Sequence, residues 1–155
     1  MKKYLIATIL VAVAAVSGAL MGGNVARSAG QGDGQHVVVH LSKFTDNLHA
    51  AFMAFNLAEA LQTHGATVTV LLDFEGVRIA DRGNSLDLRW GSNQETFAEV
   101  YTKFVRGGGT VILCPHCADA AGVDRTALRD GAKVGVMEDH TIPKLLLEAD
   151  KILDY

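Results

Sequence analysis

The sequence has no excess of positive charge and, beyond its first 23 residues, no long apolar run. Its 155 residues include 14 lysines and arginines against 17 acidic residues, and no block of basic residues occurs. This balance argues against binding to nucleic acid. Without a second long apolar run, the chain cannot cross a membrane several times. Cysteine is also scarce, because the chain has two, and both lie in one tetrapeptide.

The first 26 residues have the features of an export signal. Two lysines precede an apolar run over residues 5–16, and small residues follow, so cleavage is expected after Ala19 or Ala26. An uncleaved anchor is the alternative, since residues 4–23 carry no charge and about 20 residues suffice to cross a bilayer. Both interpretations predict an exported, periplasmic domain, which contacts the membrane only if this segment is retained.

The remainder divides into a linker and one domain. Residues 27–35 are rich in glycine and glutamine and are predicted to form a flexible linker. Residues 36–155 alternate between apolar runs and amphipathic runs. Strands are predicted at residues 37–39, 67–72, 110–113, 132–136 and 151–153. Helices are predicted after residue 46, after a capping box formed by Ser92 and Glu95, and over residues 142–147.

The predicted strands are nearly continuous apolar runs, which is typical of a parallel sheet covered on both faces. Strands and helices also alternate along the chain, as in α/β proteins. We therefore predict a three-layer α/β/α domain of flavodoxin-like architecture, with five mainly parallel strands. The apolar loop over residues 83–91 contains Leu86, Leu88 and Trp90. It is expected either to cover a partner subunit or the site, or to fold onto its own domain.

The tetrapeptide Cys114-Pro115-His116-Cys117 follows the third predicted strand. Open parallel sheets bind ligands at the carboxyl ends of their strands, so this is the expected place for a site. Pro115 suits the first position of a helix, which makes Cys114 the expected N-cap. Backbone amides at a helix start and a protonated neighbouring histidine both favour a thiolate. We therefore predict a reactive dithiol, with Cys114, Cys117 and His116 as the catalytic residues.

Two other interpretations of the tetrapeptide remain open. A disulfide between these cysteines would enclose only two residues and would remove little chain entropy, so a purely stabilising role is disfavoured. A metal site would use Cys114, His116, Cys117 and His140, but no second cysteine or histidine pair has ligand spacing. We therefore predict no metal and no cofactor. The tetrapeptide also occurs in DsbA-type oxidases, but the order of elements excludes a thioredoxin fold.

Residues 37–155 as a whole resemble the DsrE/DsrF-like family, which includes TusD and YchN-like proteins. Individually the matching segments are short, and their order along the chain carries the resemblance. They are residues 37–39, the long helix beginning near Asp46, and residues 65–70, 75–78, 108–111, 114–122 and 149–153. The chain is thus identified as an exported member of the family with a Cys-Pro-His-Cys motif.

The resemblance implies a flavodoxin-like sheet, a homo-oligomer that is often a trimer or hexamer, and sulfur transfer through a cysteine persulfide. In single-cysteine members the cysteine stands eight residues before a glycine. Cys114 stands in that relation to Gly122 and is therefore the implied sulfur acceptor. The implied function is that of an extracytoplasmic sulfur carrier, whose donor and acceptor proteins the sequence does not name. A thiol-disulfide redox protein and an oligomeric binding module for a metal or small ligand are the alternatives.

Four polar residues are predicted at the same sheet edge as the dithiol. His40 and Ser42 follow the first strand, and Asp73 and Glu75 follow the second. Because the carboxyl ends of parallel strands meet at one edge, these side chains are candidates to line the pocket. His40 or Glu75 could handle protons there.

Overall fold

In the computed structural model, which describes residues 30–155, strands and helices alternate along the chain. Two short 3₁₀ segments, Thr45–Asn47 and Phe74–Ala80, follow the first and second strands. The strands are β1 (His36–Leu41), β2 (Thr67–Leu72), β3 (Thr110–Leu113), β4 (Ala132–Val134) and β5 (Lys151–Asp154). The helices are α1 (Leu48–Thr63), α2 (Phe97–Arg106), α3 (Pro115–Ala120) and α4 (Thr141–Leu147).

The five strands form one parallel sheet in the order β4-β3-β2-β1-β5. From β1 to β4 each new strand is added on the same side of the previous one, whereas β5 is added on the other side of β1. Since crossovers between parallel strands are right-handed, a reversal of direction moves the connecting helix to the opposite face of the sheet. The prediction of a three-layer α/β/α domain with a parallel five-stranded sheet is confirmed.

The face covered by α1 and α2, called here the first face, carries the larger core. Aromatic rings bind the two helices together, and the ring centroid of Phe97 lies 5.2 Å from that of Phe52 and 5.3 Å from that of Phe55. Phe55 also meets Phe104 edge to face, with centroids 5.6 Å apart. All four rings are almost completely buried, so this face supplies most of the apolar burial that stabilises the domain.

The opposite face, called here the second face, is covered by α4 and the residues that follow it. Its buried sheet residues are Val38, Leu71 and Ile112. Ile142, Leu145, Leu146 and Ala149 pack against them and are themselves only partly buried. A seven-residue helix cannot cover a five-stranded sheet, and large apolar side chains remain exposed on or next to it. They are Val136, Met137, Leu147 and Ile152.

Two predicted local features differ in the structure. The capping box of α2 is formed by Thr96 and Glu99, not by Ser92 and Glu95. The Thr96 hydroxyl accepts from the Glu99 amide at 3.2 Å, and Glu99 Oε2 accepts from the Thr96 amide at 2.7 Å. Both pairs have the required three-residue spacing, but Phe97 is the first residue that packs into the core, so the helix begins there.

The second difference concerns β4, which ends at Val134, two residues earlier than expected. The amide of Gly135 still bonds to the carbonyl of Leu113 at 2.9 Å, and the chain then leaves the sheet in a turn. As an edge strand, β4 has one neighbour only, which leaves little to hold additional residues in the ladder.

The apolar loop over residues 83–91 folds onto its own domain. Leu86 is buried, and its carbonyl accepts from the Ala98 amide at 2.9 Å. The indole of Trp90 stacks on the imidazole of His49 with ring centroids 3.8 Å apart. Of the two alternatives raised by the sequence, the structure therefore shows a loop folded onto its own domain, not one that covers the site.

Residues 30–35, the described part of the predicted linker, make turns against the end of α1. The amide of Gly32 donates to the carbonyl of His64 at 3.0 Å. The amide of Thr67 donates to the carbonyl of Gln35 at 2.9 Å. The predicted export segment and residues 27–29 lie outside the described residues. Within residues 30–155, no helix has the length and apolar character needed to span a membrane.

Candidate functional site

The dithiol lies at the carboxyl edge of the sheet, at the start of α3. Cys114 is the N-cap of this helix and Pro115 its first residue, as the sequence predicts. The amide of Cys114 continues the sheet by donating to the carbonyl of Leu72 at 2.8 Å. However, the Cys114 side chain accepts no capping hydrogen bond. The helix is also only six residues long, so amide stabilisation of a thiolate is weaker here than the sequence suggested.

The alternation of side chains along each strand decides which groups surround Cys114. Successive residues of a strand point to opposite faces, so residues two apart share a face. Each apolar strand residue on the second face is therefore followed, two positions later, by a residue on the same face at the carboxyl edge of the sheet. The pairs are Val38 with His40, Leu71 with Asp73, Ile112 with Cys114 and Ile152 with Asp154.

These rim residues line a cavity of about 320 Å³, called here the Cys114 cavity. Its polar wall consists of His40, Asp73 and Asp154. Its apolar wall is formed by Leu71, Ile142, Leu146 and Ile152. Cys114 is thus placed where a polar rim meets the apolar floor beneath α4.

His40 is held between two carboxylates. Its Nε2 lies 2.8 Å from Oδ2 of Asp73, and its Nδ1 lies 2.7 Å from Oδ1 of Asp154. Partial burial lowers the pKa of His40, but the hydrogen bonds and charges of Asp154 and Asp73 outweigh burial and raise the pKa above its usual value. In the imidazolium form both ring nitrogens donate, which matches two acceptors. The three groups then carry a formal net charge of about −1.

Asp73 has an acceptor to spare. Its Oδ2 is occupied by His40, whereas Oδ1 is buried and has no hydrogen-bond partner in the described part of the chain. A buried carboxylate oxygen left unpaired is costly, which makes such atoms uncommon away from sites. Asp73 also lies near enough to the dithiol for its charge to raise the pKa of Cys117.

Cys117 belongs to the other side of the sheet edge. Its side chain packs against the core of the first face, and both cysteines are free thiols. Burial raises the pKa of Cys117, the hydrogen bond from the Phe74 amide opposes this, and the hydrogen bond with Cys114 raises it further. The net effect is a raised pKa for the Cys117 thiol.

A second cavity, of about 490 Å³, opens beside Cys117 and is called here the Cys117 cleft. Glu75, Arg78 and His116 line it, together with the ring of Phe74 and the small residues Ala120 and Ala121. Nε of Arg78 donates to Glu75 at 2.8 Å. The two sulfurs of one tetrapeptide therefore open onto two different cavities.

The predicted pocket residues divide between these two cavities. His40 and Asp73 lie with Cys114, whereas Glu75 and His116 lie with Cys117. Ser42 lines neither, since its hydroxyl and its amide both donate to the carbonyl of Tyr155. Its contribution is to hold the strand that carries Asp154.

The four proposed metal ligands are not assembled into a site. In the part of the chain that the structure describes, no group of three or more histidine, cysteine or acidic residues is arranged to hold a metal ion. His140 has a left-handed backbone with φ of 51° and precedes α4, and it lines neither cavity at the dithiol.

Sequence reasoning missed Asp154, Phe74 and Arg78. Asp154 could have been found, because it follows Ile152 by two residues at the end of a strand. Phe74 gave no such signal, since its φ of 40° is rare for a residue with a side chain. Arg78 lies within the segment quoted for the family resemblance, but nothing in its spacing indicated that it would line the same cavity as Cys117.

Comparison with known proteins identifies the family. The model of the DsrE/DsrF-like family matches residues 36–155, and the chain belongs to this family. The comparison with curated proteins finds no match.

Solved structures with the same fold come from bacteria and an archaeon. The YchN protein of E. coli is 21% identical with a TM-score of 0.61, over 78% of this chain and 98% of that one. MTH1491 of Methanobacterium thermoautotrophicum, a protein of unknown function, is 14% identical with a TM-score of 0.57, over 78% and 99%. BT1422 of Bacteroides thetaiotaomicron, also of unknown function, is 16% identical with a TM-score of 0.54, over 78% and 95%. At these identities the likeness concerns the fold.

The position of His40 predicts a pH-dependent contribution to stability. A pKa raised by folding stabilises the native state fully below the unfolded pKa of about 6.5, and the contribution is lost as the pH rises through the folded pKa. His40→Gln should therefore lower the urea midpoint most at pH 5.5 to 6, and the gap to wild type should narrow towards pH 8.5. His36→Gln, an exposed change on the same strand, is the control and should follow the wild-type curve. A difference in urea midpoint between wild type and His40→Gln that increases with pH would contradict the prediction.

The raised pKa of Cys117 predicts unequal reactivity of the two thiols. Cys117→Ser, which keeps Cys114, should be alkylated by iodoacetamide at lower pH than Cys114→Ser, which keeps Cys117. Burial of Cys117 persists in the second variant and continues to raise its pKa. The measurement is the pH dependence of the labelling rate, with a free cysteine peptide of pKa about 8.5 as reference. If the thiol left in Cys114→Ser reacts at the lower pH, the assignment of roles is reversed.

Proposed function

We propose that this protein is an extracytoplasmic sulfur carrier that holds sulfur as a persulfide on Cys114. Membership of the DsrE/DsrF-like family supports the general role, because proteins of this family commonly work in sulfur relay. The observation that carries the proposal for this chain is the Cys114 cavity. It surrounds one sulfur atom with apolar side chains on one side and an imidazole bracketed by carboxylates on the other.

Loading is a transfer of one sulfur atom without net oxidation. The Cys114 thiolate attacks the outer sulfur of a donor persulfide, a new sulfur–sulfur bond forms, and the donor departs as a thiolate. His40 keeps the two neighbouring carboxylates from repelling the thiolate as strongly as two unpaired charges would. Leu71, Ile142 and Leu146 keep water away from the bound sulfane sulfur.

Cys117 supplies a route for unloading. It lies within the same tetrapeptide, close enough to Cys114 for that thiol to raise the pKa of Cys117. Attack of Cys117 on the inner sulfur of the persulfide forms a Cys114–Cys117 disulfide and releases hydrosulfide, so that sulfane sulfur is reduced as the dithiol is oxidised. The same contact favours the second candidate function, a thiol-disulfide redox protein.

Persulfide loading tests the proposal directly. After treatment with cysteine persulfide, intact mass spectrometry should find one added sulfur atom on wild type, and Cys114→Ser should lose loading completely. Cys117→Ser should load normally and keep the sulfur longer, because the resolving thiol is absent. Loading on Cys114→Ser equal to wild type would refute the proposal, and a wild type that forms the disulfide while Cys117→Ser takes up no sulfur would support the redox alternative.

We further propose that the protein is a homo-oligomer, a trimer or hexamer, assembled through the second face. The exposed Val136, Met137, Leu147 and Ile152 lie on or beside the small helix that covers this face. Light scattering at micromolar concentration should give a mass several times that of one chain. Leu147→Glu, whose side chain is 86% exposed, should lower that mass with little loss of secondary structure, whereas Thr102→Glu on α2 should not. A monomeric wild type would overturn the proposal.

Export is the remaining part of the proposal. Residues 1–26 are assigned as a signal peptide or an inner-membrane anchor on their sequence pattern. Fractionation should recover the protein from the periplasm or from the outer side of the inner membrane. Intact mass measurement then distinguishes a cleaved chain, of 136 residues after Ala19 or 129 after Ala26, from the full 155. Recovery in the cytoplasm alone would contradict export.

A further inference from the structure

The two cavities at the dithiol differ in charge as well as in position. The Cys114 cavity contains two carboxylates and one imidazole. The Cys117 cleft contains Arg78 and His116 against a single carboxylate, that of Glu75. A negatively charged reactant is therefore repelled on the Cys114 side and tolerated or attracted on the Cys117 side. The second half of the dithiol thus has a binding surface that persulfide loading does not use.

Arg78 has unused donor capacity towards this cleft. Nε donates to Glu75, and Nη1 donates to the carbonyl of Ala121 at 3.3 Å. Nη2 makes no hydrogen bond to any residue within 30–155. These two bonds hold the guanidinium at the cleft while leaving one nitrogen for a ligand, and guanidinium groups suit carboxylates in particular.

Phe74 gives the cleft an apolar side next to Cys117. Its ring is 69% exposed, unusual for an aromatic residue this close to a reactive group. Its backbone has φ of 40°, a left-handed conformation that is unfavourable for a residue with a side chain. Its backbone amide is near enough to Cys117 to oppose the rise in the pKa of that thiol. The ring and the backbone of Phe74 therefore both lie beside the same cysteine.

We propose that the Cys117 cleft binds a small organic thiol carrying a carboxylate, and that this thiol reduces the Cys114–Cys117 disulfide by attacking Cys117. The carboxylate binds at Nη2 of Arg78, and the carbon chain of the thiol lies against the ring of Phe74. This inference rests on the dithiol of the proposed function and adds the class of molecule that restores it.

The reaction consumes two thiols for each disulfide. The first thiolate attacks the sulfur of Cys117, a mixed disulfide forms there, and Cys114 departs as a thiolate. A second thiolate attacks the outer sulfur of the mixed disulfide, which frees Cys117 and releases the oxidised organic disulfide. Two electrons pass from the two thiols to the protein, and no other co-reactant is needed. Attack at Cys117 follows from access, because the anionic thiol meets Arg78 there and meets Asp73 and Asp154 at Cys114.

Two disulfide reagents of similar size and opposite charge test the proposal on the full chain. Dithiodipropionate is anionic and cystamine is cationic, and each forms the mixed disulfide on a single free thiol. Their reaction rates are measured by intact mass spectrometry on Cys114→Ser and on Cys117→Ser. For each variant the rate with the anionic reagent is divided by the rate with the cationic reagent, and this ratio is divided by the same ratio for a free cysteine peptide. The corrected ratio should favour the anionic reagent at Cys117 and the cationic reagent at Cys114.

Arg78 is then changed in the Cys114→Ser background. Arg78→Gln should lower the anionic preference by about threefold, the size of effect expected for an exposed charge pair. Arg78→Lys should retain most of it. Arg106→Gln makes the same change of charge at the opposite end of the sheet, before β3, and should leave the ratio unaltered. Phe74→Gly should slow both reagents to a similar extent, because the ring contributes contact without charge.

The outcomes separate this inference from the sulfur-carrier proposal. The inference is overturned if the corrected ratio of anionic to cationic rates is the same at both cysteines. It is also overturned if Arg78→Gln and Arg106→Gln change this ratio to the same extent. Persulfide loading plays no part in these measurements, so failed loading with an intact charge preference would refute the carrier function alone. Normal loading without any charge preference would refute the thiol site alone. In oxidised wild type, 3-mercaptopropionate should be trapped on Cys117, and trapping on Cys114 would count against the proposal.

Discussion

The parallel pairing of β5 with β1 carries both the fold of the second face and the geometry around Cys114. It brings Asp154 into register with His40, and the backbone continues the ladder, with the Tyr155 amide donating to the carbonyl of His40 at 2.9 Å. The return of the chain to this side of the sheet also moves α4 to the face opposite α1 and α2. The helix that covers the Cys114 cavity, the wall residue Ile152 and one of the cavity's carboxylates thus all depend on a single strand pairing.

Electrostatics at this edge are arranged so that the negative charges are only partly neutralised. His40 binds both Asp73 and Asp154, yet Oδ1 of Asp73 remains without a partner among the residues described. The pKa of the Cys117 thiol is raised by burial, by Cys114 and by the nearby charge of Asp73. The two sulfurs therefore have different surroundings, although both belong to the first turn of a helix that is only six residues long.

Much of the fold could be predicted because apolar runs and glycine stops fix the order of strands and helices, and that order selects a parallel sheet. The location of the dithiol could be predicted for the same reason. The division of its surroundings could not, because the sequence reasoning assigned residues to a sheet edge and did not follow the alternation within each strand. Alternation adds Asp154 to the cavity, whereas Ser42, two residues after His40, is kept out of it by its hydrogen bonds to the carbonyl of Tyr155. The backbone of Phe74 lies beyond pattern analysis, since its unusual φ depends on the turn that follows β2.

The placement of the cysteines on opposite faces has a consequence for how such a site can diverge. The residues that line the Cys114 cavity and those that line the Cys117 cleft have no member in common. The two halves of the dithiol can therefore be gained, altered or lost separately by point mutation. A descendant that kept only Cys114 would still possess an intact pocket around it, and the vacated cleft would be available for selection towards a different ligand.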